Sequence, residues 1–187
     1  MRALLADLPM ELVSPAEAGI ALEVDEDGST YAANARKKAE TGARVSKLPS
    51  LGDDSGMEVA ALDGKPGIHS ARFAGAEKKG QSDALIRAVL DALGDRAHGA
   101  PAAAVYRCVA VIALHDGRTF EGEGILAGTI AAEPRGRGGF GYDPIFQLAD
   151  GRRMAELTME EKNLLSHRAR ALNALEVHGA FDAAMTC

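Results

Sequence analysis

At 187 residues, with 47% apolar and 26% charged side chains, the chain fits one globular domain, or two lobes that share a core. Its formal net charge of −6 argues against a general nucleic-acid binder, which needs a basic face, but leaves room for a small anionic ligand in a local basic pocket. No apolar run is long enough for a membrane span, the N-terminus lacks a secretion signal, and Cys108 and Cys187 are too few for a disulfide framework, so the cytoplasm is the expected compartment.

Residues 2–8 read as the end of a helix, and Met10–Val13 as a short strand. Residues 21–29 are acidic and turn-like. The stretch 29–48 predicts a helix: Ser29 or Thr30 can cap it, Ala32, Ala35 and Ala39 give a small-residue face, and basic residues suit its far end. Residues 49–54 and 56–62 are strand candidates on either side of Asp53 and Asp54, and 63–67 is a turn. Residues 81–94 predict a helix capped by Ser82, with Leu85, Ile86, Val89, Leu90 and Leu93 on one face and Gly94 at its end. Strands are expected over 102–114 and 119–131, joined by a turn at 115–118. A glycine-rich loop, 136–141, follows. Residues 157–179 close the chain as helix, with a Thr158–Glu161 capping box, a second cap at Ser166 and a stop at Gly179. Mixed strands and helices with one long hairpin indicate α/β or α+β with a mixed sheet.

Three stretches could carry chemistry. Adjacent carboxylates such as Asp53 and Asp54 repel, and a chain tolerates them where a cation sits. Residues 24–28 offer more acids, while the plainer reading makes the pair turn residues. Gly136, Gly138 and Gly141 match G-x-G-x-x-G, but Asp143-Pro144 follows where a dinucleotide-binding helix must begin, so that reading is rejected. The glycines instead allow close approach of backbone to a ligand, with Phe140 either a flat face for a base or a buried loop anchor. Lys162, His167 and Arg168 cluster near a helix junction, and Arg72, Lys37 and Lys38 add charge; each also has a plain surface explanation. Together an acid cluster, separated basic residues, an aromatic glycine-rich loop and a His-Arg pair suit a metal-bound nucleoside triphosphate.

Three segments, residues 53–75 (DDSGMEVAALDGKPGIHSARFAG), 138–146 (GGFGYDPIF) and 154–172 (MAELTMEEKNLLSHRARAL), resemble the Ham1/RdgB family of inosine triphosphate pyrophosphatases. The resemblance spans about residues 2–181. It implies a single ITPase-like domain over 1–187 with an α/β fold: two lobes, elongated around a long mixed β-sheet, with a central cleft, in a homodimer. It implies Mg²⁺-dependent hydrolysis of the α–β bond of ITP, dITP or XTP, giving the monophosphate and pyrophosphate. Asp54 resembles the general base that also serves the metal, with Glu26 as second metal carboxylate and Asp25 its near competitor. Ser55 follows at the substrate, and Lys38 and Arg72 match positions facing the phosphates. Phe140, Gly141, Tyr142 and Asp143 resemble the base-binding loop, and Lys162, His167 and Arg168 the remaining nucleotide contacts. Neither nucleic acid nor membrane is an expected partner.

The chain departs from the family pattern in two places. The family opens with a strand and a T-G-N-x-x-K-like phosphate loop, whereas this sequence starts at MRALLADLP, in what resembles the following helix. Ala33 stands where family patterns often carry an acid. Two accounts compete: a start assigned too late or a truncation, or a relative that binds nucleotide without turnover.

Overall fold

Small residues set the first packing unit. Helix α1, Tyr31–Ser46, starts at Thr30, whose hydroxyl accepts the Ala33 N–H at 3.1 Å. It ends at Lys47, in the left-handed region at φ 60. Its buried face is Tyr31, Asn34, Ala35, Ala39, Gly42 and Ala43. That face lies close against strand β1, Ser50–Val59. A Cβ added at Gly52 would stand 2.5 Å from the Ala35 carbonyl oxygen and 2.7 Å from the Ala39 nitrogen, so only glycine allows this approach.

The computed structural model describes residues 1–75, 80–99 and 101–187. Its sheet has the order β1-β2-β3-β4, with β2 at Ala102–Ala113, β3 at Thr119–Ile130 and β4 at Phe146–Gln147. The β2–β3 hairpin is closed by the Leu114 N–H on the Arg118 carbonyl at 2.9 Å. Strands β3 and β4 run antiparallel, with Thr129 opposite Gln147 and Ile130 opposite Phe146. The helices are α1, α2 (Ser82–Leu93), α3 (Met159–Leu165), α4 (His167–Val177) and α5 (Ala180–Met185). Among the described residues no helix is long and apolar enough to cross a membrane.

Contacts divide the chain into two units. Unit 1 holds residues 1–54, 108–124 and 166–187; unit 2 holds 55–107 and 125–165. Unit 1 has a core of Cys108, Ala110, Ile112, Leu114, Ala171, Leu172, Leu175 and Phe181. Unit 2 packs Met57, Val59, Leu85, Val89, Tyr106, Ile145, Phe146 and Met154.

Several expectations change. The acid pair separates no strands; β1 runs continuously through it. Residues 10–13 form no strand. They line an open slot of about 330 Å³ in unit 1, together with Ile20, Leu22, Leu51 and Phe181, and so lack the strand neighbour that would regularise them. Ser82 does not cap α2: Gln81 holds the cap position, and the Ser82 hydroxyl accepts the Gly141 N–H instead. Other expectations hold: Ser166 caps a second helix, its hydroxyl accepting the Ala169 N–H at 3.2 Å at the start of α4. The Thr158–Glu161 capping box forms, with bonds of 2.9 and 3.2 Å.

Candidate functional site

In unit 1, alternation along β1 sends Asp53 and Asp54 to different partners. Asp54 is 8% exposed. Its Oδ1 lies 3.2 Å from Lys38 Nζ, and its Oδ2 accepts from Asn34 Nδ2 at 3.0 Å. Lys38 Nζ also donates to the Asp53 carbonyl at 3.0 Å and stands 3.4 Å from Glu26 Oε1. Lys38 therefore sits among both carboxylates and a main-chain oxygen. Burial raises the Asp54 carboxyl above its ordinary 3.8, with the Glu26 charge adding to the rise; Asn34 and Lys38 oppose it.

Asp53 points elsewhere. Its Oδ2 accepts from Arg168 Nε at 2.9 Å and Nη2 at 2.8 Å. This holds the guanidinium at the start of α4, beside the buried His167. Cys108 Sγ lies 4.0 Å from the same oxygen, and its thiol is pushed up to about 12 by burial and then by the Asp53 charge. The neighbouring Lys37, given a plain surface reading above, pairs through Nζ with Asp27 at 2.7 Å on the surface.

Sequence reasoning missed Asn34. It is 1% exposed, and its Oδ1 accepts the Gly28 N–H at 2.8 Å. One amide thus ties the acidic segment carrying Glu26 to the Asp54 carboxylate. The signal was present: a lone polar side chain within an alanine face must find buried partners.

Unit 2 builds a second cluster around the loop Gly139–Asp143. Phe140 is 64% exposed, which removes the buried-anchor reading of that ring. Its N–H donates to Asp143 Oδ2 at 3.0 Å, and the Gly141 N–H to Ser82 Oγ at 2.8 Å. Lys162 Nζ donates to Asp143 Oδ2 at 2.6 Å and stands 6.0 Å from the Phe140 ring centroid. Tyr142 is buried, and its hydroxyl donates to the Ser70 carbonyl at 2.8 Å. Arg72 belongs to the helical stretch Gly67–Arg72, with Nη2 3.2 Å from His69 Nδ1; Ser55 is half-buried in β1. The structure thus brings Glu26, Lys38 and Asp54 together, pairs Arg168 with Asp53, and gathers Phe140, Gly141, Asp143 and Lys162.

Glu26 and Asp54 are the carboxylates that could hold a cation, and Lys38 Nζ stands 3.4 and 3.2 Å from them. Among the described residues no group of three His, Cys, Asp or Glu side chains converges to hold a metal. Mg²⁺ takes one or two protein carboxylates and keeps its other positions for water and phosphate oxygens, which matches a pair such as Glu26 and Asp54. Glu26 is half-buried beside Lys38, whereas Asp25 is exposed.

The Ham1 family model matches residues 1–178. The chain belongs to the Ham1 family. It is 43% identical over 177 residues to a dITP/XTP pyrophosphatase of Geobacter sulfurreducens, covering 94% of this chain and 87% of that one. It is 45% identical over 180 residues to a dITP/XTP pyrophosphatase of Streptomyces coelicolor, covering 94% and 88%. A solved HAM1 protein from Coxiella burnetii superposes with a TM-score of 0.83 at 38% identity, over 94% of this chain and 89% of that one. These likenesses to Ham1 structures bear out the expected ITPase-like α/β fold.

Proposed function

We propose that this Ham1 protein is a nucleoside triphosphate pyrophosphatase that hydrolyses non-standard purine nucleoside triphosphates such as ITP, dITP and XTP to the monophosphate and pyrophosphate. The observation that carries the reading is the cluster of Lys38 held between Glu26 and the buried Asp54. Asp54 orients the attacking water and takes its proton as oxygen adds to the α-phosphorus; the α–β bridge breaks and pyrophosphate departs. Lys38 places positive charge against the phosphates. Mg²⁺, held by Asp54 and Glu26, supplies charge neutralisation when bound. Arg168, held by Asp53, and His167 donate to a 6-keto oxygen, where adenine would present a donor against a donor and lose about 1–3 kcal/mol per unmade bond. In unit 2, exposed Phe140 offers a stacking face, and Lys162 and Arg72 add positive charge. Ser55, Gly141, Tyr142 and Asp143 complete the substrate-binding set. The working form is a cytoplasmic homodimer.

A second reading, nucleotide binding without turnover, is favoured by the open slot beside the start of β1, whose lining includes Lys38. Pyrophosphate release from ITP with Mg²⁺, measured for this chain and for an upstream-extended version, separates the two. Release by either supports the pyrophosphatase; tight ITP binding with no release by both supports the second reading.

A further inference from the structure

We propose that Tyr106 is a positioning residue for the Phe140 loop, acting through Asp143; the inference rests on the role given above to that loop. Asp143 is 4% exposed, and three donors occupy its two oxygens. Oδ2 takes the Phe140 N–H at 3.0 Å and Lys162 Nζ at 2.6 Å, while Oδ1 takes the Tyr106 hydroxyl at 3.0 Å. This carboxylate thus holds the Phe140 amide and the Lys162 ammonium together in the loop.

Tyr106 is well suited to be the fixed end of this chain of bonds. It lies within β2, is 7% exposed, and stacks on Phe146 of β4 with ring centroids 4.3 Å apart. Burial and the Asp143 charge push its phenol well above the ordinary 10, so it donates at every working pH. The loop has little freedom on its other side. Gly139 sits at φ +78, where an added Cβ would stand 2.5 Å from Lys162 Nζ, and Ser82 holds the neighbouring Gly141 N–H. The exposed Phe140 ring is thus carried on backbone pinned at successive amides. Removing the phenol oxygen leaves Asp143 Oδ1 unpaired, frees the carboxylate to rotate, and loosens both the Phe140 amide and the Lys162 ammonium.

The test is Tyr106→Phe in the full chain, or its upstream-extended version, read by ITP kinetics and residue-resolved amide exchange. The proposal expects KM for ITP to rise about 5- to 10-fold, the effect of one buried hydrogen bond on binding, with kcat within about twofold. It expects the Phe140 amide to exchange at least about 5-fold faster while amides of the β2–β3 hairpin keep their rates. Ser82→Ala, at the other anchor, should give the same KM-only change. An unchanged KM with unchanged exchange overturns the proposal. So does a fall in kcat alone, exchange raised throughout unit 2, or a Tyr106→Phe chain that no longer folds while Ser82→Ala leaves KM unmoved. If the parent protein does not turn over ITP, the exchange result still decides the tether, and the failure belongs to the function proposed above.

Discussion

Two neighbouring aspartates show how far position in a strand decides chemistry. Asp53 is ion-paired with Arg168, whereas Asp54 is buried beside Lys38 and Asn34. Asp54→Asn should lower turnover of ITP by about 100-fold or more, the usual loss for a proton-transfer group, measured by pyrophosphate release. Its effect on folding has the opposite sign. The folded-state value of Asp54 is raised, so its contribution to stability is present at low pH and is lost as pH rises through that raised value. Without metal, Asp54→Asn should therefore match or exceed the parent's thermal midpoint at neutral pH and remove that part of the decline; a lower midpoint contradicts this account. Asn34→Ala leaves Asp54 Oδ2 and the Gly28 N–H without their partner, and should cost about 1–3 kcal/mol in denaturant unfolding as well as activity. Cys108 is buried with its thiol near 12, while Cys187 is exposed. Alkylation at neutral pH should modify Cys187 in the native chain and Cys108 only after unfolding. The Asp53–Asp54 pair was legible because adjacent carboxylates need partners, whereas Glu26 and Lys38 were given site roles only through the family resemblance, and the structure sets Lys38 beside both Glu26 and Asp54. Tyr106 was not legible, since a polar tip on a core residue declares itself only through its partner; Asn34 was signalled by its place in an alanine face but its partners were not.

Elements repeat the lesson with different physics. Helices α1 and α2 were legible from their 3.6-residue apolar pattern and flanking turn residues, and the break at Ser166 from a serine before a cationic, alanine-rich run. The continuity of β1 through two carboxylates was not legible, because local propensity disfavours aspartate in strands while neighbouring partners decide the outcome. Ser82 was read as a helix cap on local grounds, yet its hydroxyl serves the loop at Gly141, a partner far along the chain. The close packing of α1 on β1 makes a sharp prediction. Gly52→Ala forces a Cβ against the α1 backbone and should destabilise by about 1–3 kcal/mol or more, read from the denaturation midpoint. Because Lys38 rides on that helix, turnover should fall further than the loss of folded protein explains. A variant with parent-like stability would show that the helix shifts freely.

At the scale of the whole molecule, each unit has its own core and its own cluster: acids, Lys38 and Arg168 in one, Phe140, Asp143 and Lys162 in the other. The family and its α/β fold were legible from three motifs, because they carry the loops and junctions at which both clusters form. The division of those motifs between two cores was not, since three strands contribute residues to both units and sequence shows no boundary within a strand. Asp54 and its neighbours are proposed to turn over a keto-purine triphosphate. The most direct test is Mg²⁺-dependent pyrophosphate release from ITP and from ATP, for this chain and its Asp54→Asn variant. The account predicts release from ITP, at least about tenfold slower release from ATP for the bonds an amino group cannot make, and none above background for the variant. Equal use of ATP and ITP, or an active Asp54→Asn protein, would contradict it.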